Sequence, residues 1–181
     1  MKRFAVALAL TAFAATPALA ALKEGAKAPD FSAKGFLAGK PISFSLAEAR
    51  KKGPVVVYFF PAAETKGCNL EAHLFAEAMD DFKAQGATVI GVTAGNLDKL
   101  QSFSADTEKC SGKFPVAADP DLSIAKQYDA TLALRPGWSN RTSYVIAPDG
   151  TIVDAYSNLA ADNHVTETMN AVKAWKAKAG K

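Results

Sequence analysis

The amino-acid sequence predicts an α/β fold in which a central mixed sheet is flanked by helices. Three apolar runs rich in β-branched and aromatic residues, over residues 55–60, 87–92 and 142–146, are typical of buried strands. Segments with apolar residues at helical spacing separate these runs. A Pro-Asp-Gly sequence at residues 148–150 predicts a tight turn between the last two strands. Parallel strands should therefore come first, with an antiparallel hairpin at one edge.

The first third of the chain carries weaker signals. From residue 21 to residue 36 we expect no long element, because proline and glycine, including Gly35, interrupt the segment. Apolar residues alternate with serines over residues 42–46, which predicts a short half-buried strand. A small helix over residues 46–52 should follow it.

The middle of the chain predicts two helices around a buried strand. After the strand at residues 55–60, a helix over residues 67–85 places five apolar side chains on one face, namely Leu74, Phe75, Ala78, Met79 and Phe82. The strand at residues 87–92 comes next. A further helix is predicted to begin near Leu97 and to run towards Cys110.

The last third contains the hairpin and the final helix. A short helix over residues 121–128 precedes the strand at residues 142–146, and a strand over residues 151–156 follows the turn. Four apolar side chains share one face of the last helix, at Val165, Met169, Val172 and Trp175. This order of elements is that of a thioredoxin-like fold. The sequence has no internal repeat or linker, which predicts a single domain.

Composition and charge exclude several classes of protein. The chain has 181 residues, of which 49% are hydrophobic and 22% charged, as in ordinary globular domains. A formal net charge of +3 does not indicate a nucleic-acid partner. Two cysteines are too few for a disulfide framework or a Cys-only zinc site, and two histidines do not favour a His-rich metal centre. We therefore predict no metal and no cofactor.

The opening segment has the pattern of a secretory signal peptide. A Lys-Arg start precedes an apolar run over residues 4–15 and an Ala-x-Ala sequence at residues 18–20. Cleavage there would remove residues 1–20 and leave a domain of residues 21–181 with a net charge of +1. We expect this domain to be exported, periplasmic or extracellular, with no membrane attachment after cleavage. A retained anchor is the alternative, although the apolar run is short for a membrane span.

Cys68 lies at the junction between the most apolar strand and the longest predicted helix. In α/β sheets, sites gather at the carboxyl ends of strands, where helix N-termini present free N–H groups. The positive end of the helix dipole favours a thiolate there, so Cys68 is a candidate nucleophile. The alternative is a buried, inert cysteine. Position alone leaves both interpretations open.

The residues around Cys68 read P-x-x-x-T-x-x-C, with Pro61 and Thr65 at the fixed positions. This resembles the peroxidatic motif of the peroxiredoxins. Three further segments are similar to family signatures and occur in the matching order: Ala-Pro-Asp-Phe at residues 28–31, Arg-Thr-Ser-Tyr-Val-Ile at residues 141–146, and Asp-Gly at residues 149–150. The resemblance spans residues 21–175 and implies a thiol-dependent peroxidase.

Glu71 matches an acidic position often seen in the Q-type, or bacterioferritin-comigratory, branch of that family. The chain departs from the branch in reading T-K-G-C-N where T-P-G-C-T is common, and in having Ser143 for a threonine. A resolving cysteine often lies five residues after the peroxidatic one, where this chain has His73. A subset of the branch has it on the next helix, where Cys110 is predicted to fall. The resemblance therefore implies a Cys68–Cys110 disulfide within one chain.

The resemblance also implies roles for the site residues. Cys68 would attack the peroxide and become a sulfenic acid, while Arg141 would stabilise the thiolate and the peroxide oxygens. The Thr65 hydroxyl could accept from the peroxide and donate towards the thiolate, and the Pro61 ring would shield the sulfur. Two residues complete the predicted substrate-binding cradle, Gly67 through the backbone and Glu71. Each residue also has an ordinary explanation as a strand end, helix cap or solvated charge.

Two other functions fit part of the pattern. An exported thioredoxin-fold thiol–disulfide oxidoreductase would need C-x-x-C, but Thr65 holds the place of the first cysteine. In a non-catalytic domain, a Cys68–Cys110 disulfide would only add stability, about 4 kcal/mol. We favour the peroxidase, with a peroxide substrate, a thioredoxin-like dithiol as reductant, and a monomeric chain. His73 and His164 are expected to be surface, packing or helix-end residues.

Overall fold

The computed structural model describes residues 21–180, and the predicted signal peptide lies outside them. The strands are β1 (Ser32–Leu37), β2 (Lys40–Ser45), β3 (Val55–Phe59), β4 (Thr88–Thr93), β5 (Val116–Ala118), β6 (Thr142–Ile146) and β7 (Ile152–Ser157). The helices are α1 (Leu46–Arg50), α2 (Lys66–Ala84), α3 (Leu100–Ala105), α4 (Ser123–Gln127) and α5 (His164–Ala179). None of these helices is long and apolar enough to cross a membrane.

The seven strands form one mixed sheet in the order β2-β1-β5-β4-β3-β6-β7. Strands β3, β4 and β5 are parallel neighbours, whereas β6 pairs antiparallel with β3 and forms the hairpin with β7. The predicted mixed sheet with an antiparallel hairpin at one edge is confirmed. The carboxyl ends of β3 and β4 therefore lie side by side, next to the start of β6.

Side chains of β3 alternate between two apolar layers, because successive residues of a strand point to opposite faces. Val56 and Tyr58 join a cluster with the buried face of α2 and with residues of α3 and α5. Val55, Val57 and Phe59 join a second cluster with residues of α1 and α4. Both cysteines belong to the first cluster, so the two thiols lie on the same side of the sheet.

Two strands, β1 and β5, lie where the sequence predicts none. β5 has only three residues, which is too short for a periodic pattern. β1 contains Gly35, which we expected to interrupt any element. A Cβ atom at Gly35 would stand 2.0 Å from the carbonyl oxygen of Val116. The glycine therefore permits the close pairing of β1 with β5 instead of ending the strand.

The helix expected to run from Leu97 towards Cys110 ends early, and this prediction is wrong. Only a 3-10 turn and the six-residue α3 form. The carbonyl oxygen of Asp106 then accepts from the backbone N–H groups of Lys109 and Ser111, which folds the chain into a turn. Cys110 lies in this turn. The other predicted helices and strands occur within two residues of their expected bounds.

Candidate active site

Cys68 lies in the first turn of α2, after the loop that follows the carboxyl end of β3. The residue is 1% exposed and faces the apolar cluster between α2 and the sheet. Asn69 is the first residue of the helix whose amide reaches back, to the carbonyl oxygen of Thr65 at 2.8 Å. The amides of Gly67 and Cys68 therefore have no acceptor within the helix and can bind an anion beside the sulfur.

The loop before α2 is fixed against the carboxyl end of β4. Ala62 forms a parallel bridge with Gly95. The hydroxyl of Thr93 donates to the carbonyl oxygen of the buried Pro61 at 3.2 Å. The residue order Pro-x-x-x-Thr-x-x-Cys thus begins on an anchored strand end, and the position of Cys68 follows from that anchor.

The Thr65 hydroxyl has one proton, which goes to the main chain. Its Oγ1 donates to the carbonyl oxygen of Ala62 at 3.0 Å, and it makes no capping bond to α2. In this structure the hydroxyl therefore does not donate to Cys68, and the predicted donation from Thr65 towards the thiolate stays a prediction. The lone pairs of Oγ1 are still able to accept a hydrogen bond from a peroxide, as predicted.

Arg141 brings a positive charge to the sulfur of Cys68. It directly precedes β6, whose Thr142 pairs with Phe59 at the carboxyl end of β3. The Nη2 atom donates to the Cys68 Sγ atom at 3.5 Å, and Nε donates to the carbonyl oxygen of Leu159 at 2.9 Å. Arg141 is 4% exposed, so it is a buried group and not a solvated charge at a strand end.

Glu71 lies one turn along α2 from Cys68 and holds the other side of the guanidinium. Nη1 of Arg141 donates to Oε2 of Glu71. Burial raises the pKa of Glu71 to about 8, although the charge and the hydrogen bond of Arg141 act to lower it. The side chain of Glu71 has no exposed surface and contacts Arg141. Its predicted role in substrate binding stays a prediction.

Gly67 is packed directly against this arginine. A Cβ atom at Gly67 would stand 3.0 Å from Nη2 of Arg141, closer than ordinary van der Waals contact. Glycine at this position therefore lets the guanidinium approach the first turn of α2. Its predicted role in binding peroxide through the backbone stays a prediction.

His164 and Ser143 extend the polar cluster behind Arg141, and neither was predicted to belong to the site. His164 is the first residue of α5, as expected of a helix-end residue, but it is fully buried. Its Nδ1 atom lies 2.8 Å from Ser143 Oγ and 3.6 Å from Glu71 Oε1. Burial lowers the pKa of His164 to about 4. Its burial could have been predicted from the sequence, because His164 lies four residues before Thr168 and eight before Val172, on the same buried face of α5.

Cys110 is fully buried, and both cysteines are free thiols. Burial raises the pKa of Cys110 far above its usual range, so it stays protonated in this environment. The neighbouring Lys109 Nζ atom lies 2.6 Å from Glu64 Oε2 and 2.8 Å from Asp106 Oδ2. We call these three residues the Lys109 clasp. Glu64 belongs to the loop before α2, so the clasp ties the Cys110 turn to the Cys68 loop.

The arrangement can perform thiol chemistry. A buried guanidinium and the amino end of a 19-residue helix converge on one sulfur, and both stabilise negative charge on it or on a neighbouring oxygen. Within residues 21–180, no group of three or more His, Cys, Asp and Glu side chains is placed to hold a metal ion. Sulfur, guanidinium and helix amides are therefore the reactive groups that the described residues bring together.

Comparison with known proteins extends this description. The model of the AhpC/TSA family matches residues 25–155. The chloroplastic peroxiredoxin Q of Sedum lineare is 30% identical over 158 residues, which are 87% of this chain and 81% of that protein. The chloroplastic peroxiredoxin Q of Suaeda salsa is 31% identical over 152 residues, 83% of this chain and 68% of that protein.

Solved structures show the same fold. The peroxidoxin BcpB of Mycobacterium tuberculosis superposes with a TM-score of 0.73 at 25% identity, covering 84% of this chain and 97% of that one. The reduced 2-Cys peroxiredoxin of Plasmodium vivax gives a TM-score of 0.76 at 20% identity, over 87% of this chain and 99% of that one. The predicted thioredoxin-like fold is confirmed. With a family match over most of its length and relatives named peroxiredoxin Q, the chain belongs to the AhpC/TSA family and is a thiol-dependent peroxidase.

Proposed function

We propose that the protein is an exported peroxidase of the Q type, in which Cys68 reduces hydrogen peroxide and organic hydroperoxides and Cys110 resolves the product. The observation that carries the proposal is the contact of 3.5 Å between Arg141 Nη2 and the Cys68 sulfur. Among the described residues, no cation donates to the other thiol, Cys110, and the neighbouring Lys109 pairs with Glu64 and Asp106 instead.

In the first step, the Cys68 thiolate attacks one peroxide oxygen. An S–O bond forms and the O–O bond breaks, so that sulfur is oxidised to sulfenic acid and the second oxygen leaves as an alkoxide or hydroxide that takes up a proton. Charge moves from sulfur to the leaving oxygen. Arg141 and the amides of Gly67 and Cys68 can stabilise the negative charge as it moves. The Thr65 oxygen can accept a hydrogen bond from the peroxide O–H.

In the second step, the Cys110 thiol attacks the sulfenic sulfur of Cys68. An S–S bond forms and water leaves, since the sulfenic hydroxyl takes the proton of Cys110. A thioredoxin-like dithiol then reduces the disulfide by exchange and is itself oxidised. Overall, one peroxide and one dithiol are converted to one disulfide, one water and one alcohol. With hydrogen peroxide, a second water is formed in place of the alcohol. The chain needs no cofactor for this sequence.

The proposal is tested by mixing reduced protein with one equivalent of peroxide and following the loss of thiols. We expect wild type to lose both thiols rapidly, Cys68→Ser to lose neither, and Cys110→Ser to complete one turnover and accumulate sulfenic acid. The two alternatives make different predictions. A structural disulfide would leave the thiols slow to react, and a thiol–disulfide oxidoreductase would exchange with disulfides in preference to peroxide.

Export and assembly are separate parts of the proposal. Residues 1–20 support export, so the full chain expressed in a Gram-negative host should yield periplasmic protein that begins at residue 21. Cytoplasmic protein with an intact amino terminus would contradict this. A resolving cysteine in the same chain allows a monomer to complete the cycle, and light scattering of the reduced protein should give the monomer mass.

A further inference from the structure

The loop that follows β7 supplies one of the acceptors that orient Arg141. The carbonyl oxygen of Leu159 accepts from Arg141 Nε at 2.9 Å. Residues 157–160 are all exposed, and the Leu159 side chain itself is 54% exposed. Apolar packing therefore does not hold this stretch of main chain. Its position must come from hydrogen bonds.

His164 makes the neighbouring hydrogen bond to the same loop. Its Nε2 atom lies 2.9 Å from the carbonyl oxygen of Asn158. A carbonyl oxygen can only accept, so Nε2 must carry the proton. Two successive carbonyl groups, of Asn158 and Leu159, thus accept from His164 and Arg141 respectively. A shift of one peptide unit would move both contacts.

The imidazole is itself fixed on its other side. With the proton on Nε2, Nδ1 has a lone pair and accepts from the Ser143 hydroxyl at 2.8 Å. Ser143 stands two residues after Arg141, on the same side of β6. The ring of Tyr156 packs edge-on against His164 with the centroids 4.8 Å apart. Glu71 Oε1, which has no hydrogen-bond partner among the described residues, faces Nδ1 at 3.6 Å.

We propose that His164 is a positioning residue for the peroxide reaction. Its neutral imidazole holds the Asn158–Leu159 main chain, so that the Leu159 carbonyl keeps the Arg141 guanidinium directed at Cys68. His164 does not touch the sulfur or the substrate, and it acts only through Arg141. The inference rests on the proposed reaction of Cys68 with peroxide.

The test combines His164→Phe and His164→Gln with Arg141→Ala in reduced Cys110→Ser protein, so that only the first step is measured. Phe keeps the aromatic packing and loses the donor, whereas Gln can place an amide N–H near the position of Nε2. We expect His164→Phe to slow the peroxide reaction about tenfold, since small displacements of a positioned group have effects of this size or larger. His164→Gln should recover most of the rate.

A positioning role through Arg141 also predicts non-additivity. His164→Phe should change the rate less than about twofold when Arg141 is already alanine. His73→Phe is the matched control, because the ion pair of His73 is with the exposed Glu77 and not with Arg141 or Cys68, and it should leave the rate unchanged. An equal loss from His164→Phe with and without Arg141, or no loss when Arg141 is present, would overturn the proposal.

Two further measurements keep the test decisive. If His164→Phe does not fold, the comparison of His164→Gln with His164→Asn replaces it. The shorter amide of asparagine does not reach the Asn158 carbonyl, so His164→Asn should react more slowly. Equal rates for these two variants would overturn the proposal. The ultraviolet absorbance of the Cys68 thiolate against pH supplies a readout without peroxide. It should move to higher pH in His164→Phe, even if the proposed reaction of Cys68 with peroxide is not observed, and an unmoved profile would refute the inference.

Discussion

Arg141 is a buried cation with three acceptors, and its removal should have two separable effects. We expect Arg141→Ala to slow the peroxide reaction about a hundredfold, because a preorganised donor beside the reacting sulfur is lost. It should also lower the free energy of unfolding by about 2 kcal/mol, because Glu71 and the Leu159 carbonyl lose a charged donor. Stopped-flow kinetics and denaturant unfolding measure the two effects.

The double variant Arg141→Ala/Glu71→Gln is the control that separates them. A neutral amide is cheaper to bury alone than a carboxyl group, so stability should partly return while the slow reaction persists. Arg141→Ala protein that reacted at the wild-type rate would refute the role of the guanidinium.

Gly67 offers a substitution that should damage the chemistry without damaging the fold. Alanine stabilises a helix relative to glycine by up to about 1 kcal/mol, so Gly67→Ala should melt no lower than wild type. Its methyl group would press on Nη2 of Arg141, and we expect the peroxide reaction to slow about tenfold. Lys66→Ala, in the same first turn but exposed, is the control for helix propensity. Equal rates for both variants would show that the guanidinium tolerates the contact.

His164 should leave a signature in the pH dependence of stability. The charged and titratable groups that face it are Glu71, Arg141 and Tyr156. Because burial lowers its pKa to about 4, the unfolded chain binds a proton between about pH 6.5 and 4 that the folded chain does not. As the pH falls across this window, the free energy of unfolding of wild type should decrease by up to about 3 kcal/mol relative to that of His164→Gln. A difference in unfolding free energy between wild type and His164→Gln that stays constant with pH would contradict the lowered pKa of His164.

The sequence motif around Cys68 was predictable, and the polar groups behind Arg141 were not. Pro61, Thr65 and Cys68 lie within eight consecutive residues. Their spacing around a strand-to-helix junction can therefore be recognised from the sequence alone. The contact between Glu71 and His164 joins α2 to α5 across 93 positions of the chain. It depends on how the two helices pack on the sheet, which local periodicity does not specify.

At the scale of elements, the Lys109 clasp is the contact that holds the Cys110 turn against the Cys68 loop. Lys109→Met keeps the length of the side chain and removes its charge. If the partly buried clasp contributes about 1 kcal/mol, disulfide formation after a single peroxide addition should be about fivefold faster. The peroxide step itself should be unchanged, because Lys109 does not contact Cys68 or Arg141. Rapid quenching and thiol counting in the presence of one equivalent of peroxide measure the second step.

Lys113→Met is the matched control, since this lysine is exposed in the segment that follows the same turn. It should form the disulfide at the wild-type rate. High salt should accelerate wild type towards Lys109→Met and leave the variant unaffected, because salt screens ion pairs near the surface. If Lys109→Met formed the disulfide more slowly, the clasp would assist resolution and not restrain it.

Long periodic elements were predictable from sequence, whereas elements defined by their partners were not. The apolar face of α2 and the uniform burial of β3 follow from residue types alone. β1 is a strand because it lies between β2 and β5, and its glycine is required by the second of these pairings. The end of α3 is set by backbone hydrogen bonds to the Asp106 carbonyl. The spacing of apolar residues in the sequence does not predict these bonds.

For the whole molecule, the two cysteines share one apolar cluster but lie on segments of unequal length and packing. The 19 residues of α2 bury a continuous face that includes Phe75, Met79 and Phe82. The Cys110 turn lies between the six-residue α3 and the three-residue β5. A disulfide requires the two Cα atoms within about 7 Å, while the Cys68 sulfur is bound to Arg141 in the reduced state. We therefore expect the Cys110 turn to open further than the first turn of α2 during oxidation.

Hydrogen exchange of reduced and oxidised protein measures this opening along the whole chain. Residues 106–113 should lose protection by at least about tenfold on oxidation, since short segments with few apolar contacts open at the lowest free energy. Residues 65–72 should lose less, because the remainder of α2 stays packed on the sheet and α5. The amides of β3 and β4 are the internal control and should exchange equally in both states, because each of these strands pairs with another strand on both sides. Cys110→Ser, treated with peroxide, should keep the reduced pattern over residues 106–113, because its oxidation stops before the disulfide. Equal protection of residues 65–72 and 106–113 in both states of wild type would show that the disulfide forms without rearrangement.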